Sequence, residues 1–443
     1  MAFLHEHSCE CTKSELDLFT VPPMQTSVEE GQWEEVHPLT HIVESGPIEF
    51  VISGSGEDYI DLSSTLLLIK AKITKVDGTN LGEDAAVGPV NLWLHSLFSQ
   101  VDVHLNGKMI SNPSPTYPYR AMLETLLNYG EEAKDTHIAS ALFFKDYHLK
   151  MDEVNPTKEG GEVNKGLKNR YAFTSGSQVV DMVGPIHLDL FFQPKYLMNG
   201  VELRLKLNRS KNAFSLVSSV ENPGFKAVVT EATLLVKKIK LSPLVQLGHA
   251  EALKQGPSKY PIHRCVMKVL SIPGGTMSFN KDHIFLGQLP KRVVLGLVDN
   301  DAFNGSYKKN PFNFKHYGMT SLVLNVGGKQ VPSKPLKLDF TKAGGQSFIM
   351  AYYSLFTGTN KIGRDEGINI KRYEYDNGYT LFAFDLTPDL SADGGHLNLV
   401  KEGNLGIELQ FRQALPNTVN LLVYGELDNI IEIDRDRNVL FDY

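Results

Sequence analysis

Three features of the sequence predict an all-β protein built as two copies of one β-sandwich joined by a helix. Stretch after stretch alternates apolar and polar residues with a period of two, the mark of half-buried strands. The same landmarks occur in the same order on both sides of the middle of the chain. Between them, Leu241 to Ile262 reads as a short helix with defined ends: Ser242 suits the N-cap, Pro243 the first helical position, and Gly256-Pro257 a stop.

In the first half, Ile48, Phe50 and Ile52 alternate with polar positions until Gly54-Ser55-Gly56. Leu67, Ile69, Ala71 and Ile73 then oppose Lys70, Lys72 and Thr74, and Asp77-Gly78 turns the chain. Val101, Val103 and Leu105 alternate with Asp102, His104 and Asn106, running into Asn106-Gly107, a strong hairpin signal because both residues tolerate positive φ. Tyr119, Met122, Leu123, Leu126 and Leu127 form one apolar face of a helix that Gly130 ends. Residues 131–178 read as a long connection, with a second helix up to Phe144 and a Gly/Lys/Asn-rich loop after it. Strands resume with Ile186, Leu188 and Leu190, then Val201, Leu203, Leu205 and Leu207, and finally Thr233 to Leu241.

The second half answers in order. Leu270 to Gly275 matches Val51 to Gly56, and the turn Gly327-Gly328-Lys329 matches Asn106-Gly107-Lys108. Ile349, Tyr352, Tyr353 and Phe356 give a second helical stripe, stopped by Gly358 as Gly130 stops the first. Phe384 to Pro388 matches Leu190 to Pro194, Ile407 to Leu409 matches Val201 to Leu203, and Leu421 to Val423 matches Leu234 to Val236. Several short strands with a helix between the middle ones predict a β-sandwich in each half, either a jelly roll of eight strands or an open barrel, and the resemblance given below favours the jelly roll. The expected division is an acidic N-terminal arm (1–40), jelly roll 1 (41–242), a linker helix (243–257) and jelly roll 2 with a C-terminal tail (258–443).

The bulk properties are those of a globular protein with ample core: 443 residues, 42% hydrophobic and 21% charged. A formal charge of −7 predicts no nucleic-acid site and no anionic-membrane surface. The arm itself holds eight Asp or Glu against the single Lys13. No apolar run approaches the roughly 20 residues of a transmembrane helix, and the start lacks the pattern of a signal peptide. Three cysteines, Cys9, Cys11 and Cys265, are too few for a disulfide framework.

The search for chemistry predicts no catalytic, cofactor-binding or metal-binding residue, hence no enzyme and no cofactor. His5, His7, Cys9 and Cys11 crowd four candidate ligands together without zinc-finger spacing, and the flexible-tail reading is preferred. His5/His7 is also the only His-x-His, and it lies outside the fold a cupin-type metal site would need. His95, His104, His187 and His283 stand isolated in sequence. Asp299, Asp301, Asn304 and Gly305 resemble a calcium loop, but Phe303 takes a ligand position and Asn310 stands where a bidentate Glu belongs. The Gly-Lys pairs at 107–108 and 328–329 sit in hairpin turns, and no phosphate loop is present. A doubled scaffold without such punctuation predicts a structural protein.

Several longer strings point the same way. Tyr117-Pro-Tyr-Arg-Ala-Met-Leu-Glu-Thr-Leu-Leu-Asn-Tyr-Gly130, Gln288 to Arg292, Asp299 to Tyr307, Pro311 to Phe314 and Gly378 to Pro388 resemble signatures of double jelly-roll, hexon-like major capsid proteins. The likeness is to those of adintoviruses, adomaviruses and Polinton/Maverick elements, over residues 40 to 443. It implies two jelly rolls side by side, homotrimers that imitate hexagons, and an icosahedral shell of a DNA virus or virus-like element. The partners so implied are neighbouring capsomers, penton and minor capsid proteins. The implied location is the virion, after synthesis in the host cytoplasm and assembly in the host nucleus. The rival expectation is a carbohydrate-binding or glycan-cleaving double β-sandwich. Both termini are expected to cross to neighbouring copies.

Overall fold

The computed structural model describes residues 5, 7–54, 56–221, 223–341, 346–363 and 365–441. Ser55 of the expected Gly54–Gly56 break, and Asp442 and Tyr443 of the expected tail, lie outside them.

Among the described residues, each half contributes eight principal strands. In the first half these are β1 (Val28–Val36), β2 (Ile48–Ile52), β3 (Tyr59–Lys75), β4 (Phe98–Leu105), β5 (Lys108–Met109), β6 (Val180–Pro185), β7 (Leu203–Arg209) and β8 (Phe225–Leu241). In the second they are β9 (Ser258–Ile272), β10 (Ser278–Gln288), β11 (Arg292–Asp299), β12 (Met319–Val326), β13 (Lys329–Lys337), β14 (Leu381–Asp385), β15 (Glu402–Phe411) and β16 (Val419–Ile433). The first half forms sheets β1-β8-β3-β6 and β2-β7-β4-β5; the second forms β9-β16-β11-β14 and β10-β15-β12-β13. The two orders are identical, strand for strand. Both are jelly rolls, so the chain is a double jelly roll, all pairs within the principal sheets being antiparallel.

Each roll closes over the apolar side of its strands. Leu67, Ile69, Ala71 and Ile73 of β3 face inward with Leu203, Leu205 and Leu207 of β7, all almost fully buried. Leu405, Ile407 and Leu409 of β15 face Val293, Leu295 and Leu297 of β11 in the second roll. Burial of such a side chain stabilises by roughly 1.5–3 kcal/mol.

The topology corrects the reading of the arm: residues 28–36 form β1, the edge strand of the first roll, in register with β8 (Trp33 opposite Lys237, Glu35 opposite Leu235). The sequence VEEGQWEEV has no period-two apolar pattern because almost the whole strand is exposed. Two of the repeated landmarks also shift. Leu270–Ile272 ends β9, whereas Val51-Ile52 ends β2, a strand one place later in the roll. Leu190–Phe192 is a 3-10 turn (Asp189–Phe192), while the matching Phe384-Asp385 ends β14. The hairpins, the two long helices and the last two strands of each half do correspond.

Those helices are α1 (Tyr117–Asn128) and α3 (Ile349–Gly358), each between the fifth and sixth strands of its roll. The connection 131–178 holds a helical turn at Glu131–Asp135, a 3-10 turn at His137–Ala141 and a helix at Lys165–Thr174, where a loop was expected. Asn164 caps that helix by accepting from the Leu167 backbone N–H. The central helix, α2 (Pro243–Gln255), has Pro243 in its first turn, but the Ser242 side chain makes no cap hydrogen bond. Leu244 and Leu247 face solvent, and the helix is tied down by Tyr59 Oη to His249 Nδ1 at 3.0 Å.

Candidate functional site

The chemistry of this chain is concentrated in the seam between the two rolls. There α1 of the first roll lies against the outer face of sheet β9-β16-β11-β14. In α1 every residue from Tyr117 to Leu127 is buried, the charged Arg120 and Glu124 included. A helix can bury charge only where opposite charge meets it, and here it does. Arg120 Nε donates to Glu124 Oε1 at 2.8 Å, and Arg120 Nη2 meets Asp189 Oδ1 at 2.7 Å. Asp189 Oδ1 also accepts from the backbone N–H of Cys265 in β9, at 3.1 Å, so the charged group grips the second roll. Tyr424 of β16 donates its hydroxyl to Glu124 Oε1 at 3.4 Å.

The other Glu124 oxygen meets His187 Nδ1 at 2.7 Å. The His187 ring packs edge-on to His95, centroids 4.7 Å apart, and His95 Nδ1 lies 2.9 Å from the Tyr117 hydroxyl. Burial would raise the Glu124 carboxyl, but Arg120 and then His187 outweigh it and hold it down at about 2. Burial, with His187 alongside, holds the His95 imidazole well below the usual histidine range. At Asp189 burial outweighs the pull of Arg120 and raises the carboxyl. Burial pushes the Cys265 thiol up, away from a reactive thiolate.

Three further ties extend the seam. Buried Lys134 donates to the carbonyls of Leu126 in α1 and Ile368 of the second roll, at 3.0 and 2.7 Å, and burial pulls its ammonium down to about 7. Buried Asp146 accepts from Arg170 at 2.8 Å and from Asn310 of the second roll at 3.0 Å, while Tyr379 donates to its backbone carbonyl. The Tyr119 ring stacks on Phe303, centroids 5.4 Å apart, with Phe312 edge-on. The 131–178 connection thus reaches across to the second roll. A cleft of about 250 Å³ remains in the seam, lined by Arg120, Leu123, Glu124 and Leu127 on one side and Arg292, Tyr424 and Glu426 on the other.

The residues weighed from sequence fall elsewhere or change meaning. His5 and His7 contact each other, with Cys9 and Cys11 exposed, and no group of three or more metal-type side chains is close enough to hold an ion among the described residues. Asp299 accepts from the Asp301 N–H, capping the short helix Asn300–Asn304, and pairs with Lys309 at 2.8 Å. His104 and His283 stay apart, but His95 and His187, 92 positions distant in sequence, meet. The tail is tied to its own chain: Arg437 Nη2 donates to Asn199 at 3.0 Å, its carbonyl accepts from Asn106 at 2.7 Å, and Val439–Leu440 pairs with β16. No helix among the described residues is long and apolar enough to cross a membrane.

The strings that resembled capsid signatures supply this seam: Tyr117–Gly130 contains α1, Phe303 and Phe312 pack on its Tyr119, and Tyr379 bonds the Asp146 carbonyl. No family model matches the chain. An uncharacterised protein of Caenorhabditis elegans, F54H12.2, is 29% identical over 437 residues, covering 95% of this chain and 99% of that one. Among solved structures, a chain of the Sputnik virophage superposes with a TM-score of 0.65 at 12% identity, over 100% of this chain and 94% of its own. The Faustovirus major capsid protein superposes with 0.60 at 9% identity (94% and 92%), and that of mavirus with 0.52 at 12% (100% and 95%). Two of these three neighbours are major capsid proteins, and all three matches run nearly the length of both chains. The chain therefore has the double jelly-roll fold of viral major capsid proteins.

Proposed function

We propose that this protein is a hexon-like major capsid protein, forming pseudo-hexagonal homotrimers that tile an icosahedral shell. The observation that carries the reading is the seam: two rolls of identical strand order are locked side by side by buried charge, stacked rings and a crossing connection. That is a permanent third of a ring, and three such chains present six rolls. Trimer contacts of this kind bury roughly 2,000–5,000 Å². Contacts with neighbouring capsomers, penton and minor capsid proteins, and a place in the virion, follow from the same role. The N-terminal segment before β1 supports it as well. Leu16, Leu18, Phe19, Val21 and Met24 are all largely exposed on the single chain, and we assign them to a neighbouring copy.

Size-exclusion chromatography with light scattering tests the reading. The expected species is a trimer of the 49.3 kDa chain. A monomer at every concentration, or one that binds or cleaves glycans, would overturn it. Limited proteolysis tests the arm: cleavage before β1 should slow in assembled shells, and equal rates in free trimer and shell would remove the arm from the contacts.

A further inference from the structure

The two rolls are built alike but covered unlike, and the difference identifies a contact between copies. In α1, Ala121 and Thr125 point into their own roll, while Arg120, Leu123 and Leu127 face the seam. In α3, Ala351 and Leu355 occupy the inward positions and are fully buried. Setting these inward pairs in register places Met350, Tyr353 and Thr357 where α1 has its seam residues. Among the described residues all three are exposed, Met350 by 66% and Tyr353 by 45%.

The receiving surface shows the same asymmetry. In the second roll the outer face of β9, β16 and β11 is covered by α1. The equivalent face of the first roll lies on β1, β8 and β3. There Glu34 pairs with the fully buried Val236, so its neighbour Trp33 points outward, opposite Lys237. Leu235 pairs with Leu66 and lies on the same outer face, both side chains only partly buried. Trp33, on a strand otherwise rich in glutamate, is 53% exposed.

We infer that the Met350/Tyr353 face of α3 docks on the Trp33/Leu235 face of the first roll in a second copy of this chain. The inference rests on the capsid reading and deepens it by naming the surfaces. The occupant follows from the repeat: each roll offers one helix face and one sheet face, the chain joins one such pair internally, and one of each is left over. Leftover faces that fit each other but not themselves make a head-to-tail contact, which closes into a ring when the rotation allows. The helix side of this contact is apolar, whereas on the sheet side Trp33 and Leu235 sit beside Lys237 and Glu35.

The test is chemical cross-linking in full-length protein carrying Cys9→Ser and Cys11→Ser, the remaining Cys265 being buried. With Trp33→Cys and Met350→Cys added, a short bismaleimide should yield covalent dimers and trimers and no longer ladder. In parallel, Met350→Asp with Tyr353→Asp should weaken trimer association by about ten-fold or more, the effect of losing buried anchors. Leu286→Asp, an exposed position on β10, should leave it unchanged. A wild-type trimer that neither cross-links nor weakens would overturn this contact and leave the capsid reading standing. A wild-type monomer that forms no particles would overturn both.

Discussion

Arg120 and Asp189 meet at 2.7 Å on the seam, and the same carboxylate oxygen accepts the Cys265 N–H of the other roll. One ion pair therefore joins a helix, a 3-10 turn and the edge strand of a second sandwich. Its weight comes from burial: both side chains are about nine-tenths hidden from solvent.

Removing the arginine strands Glu124 and Asp189 as buried carboxylates. Arg120→Met should destabilise the protein by about 3–5 kcal/mol, the usual cost of breaking a buried pair from one side. The combined Arg120→Met, Glu124→Gln, Asp189→Asn variant should recover part of that loss, since no uncompensated charge remains. Urea denaturation checks both, and an Arg120→Met variant within about 1 kcal/mol of wild type would refute the role.

Acid should loosen the seam. His95 is held below its unfolded value of 6.5, so the unfolded chain binds a proton that the folded chain refuses, and stability falls as pH drops below 6.5. Glu124, depressed from 4.5 to about 2, adds a second loss between those values. The raised Asp189 works in the opposite direction, because its folded form takes up a proton first, and it offsets part of the loss as pH falls toward 3.8. Melting temperature against pH should show the first drop between about pH 6.5 and 5, and His95→Gln should flatten it. An unchanged slope in that variant would rule His95 out.

Two glycines separate close packing from chain breaking. Gly358 lies where an added Cβ would sit 2.7 Å from the Ala383 carbonyl group, so Gly358→Ala should cost about 1–3 kcal/mol through overpacking. At Gly256 the backbone is extended and nothing lies within 4 Å, so Gly256→Ala should be neutral. Thermal melts of the two variants, compared side by side, check the contrast.

The joint between the rolls should matter to assembly more than to folding. A Gly/Ser insertion at Gly256 is expected to leave the melting transition near wild type while impairing trimers or shells. Normal particles by electron microscopy would count against a role for α2 in setting the angle between the two rolls.

Much of the fold was legible because burial on one side of a strand prints a period of two, as in β3, β7 and β15. The hairpin at Asn106-Gly107 and the stripe of α1 were legible for equally local reasons. β1 was not, because an edge strand exposed on nearly every residue needs no apolar pattern and carries glutamates instead. The helix Lys165–Thr174 was hidden by its polar, glycine-containing sequence, which depends on packing against the chain around Phe144 and Lys145. The seam was half visible. Arg120 and Glu124, four apart on an otherwise apolar helix, were a readable sign of buried charge, whereas Asp189, His187 and Cys265 join them only through the tertiary fold.

The 13-residue helix α2 has a kinetic consequence. A short tether keeps the second roll at an effective concentration in the millimolar range beside the first, whatever the dilution of the protein. The charged seam therefore forms unimolecularly, soon after synthesis, while the contacts between chains proposed above would wait for copies to accumulate. The order of events is set by covalent connectivity: the joint that needs desolvation of ions closes first, and only finished building blocks enter the concentration-dependent step.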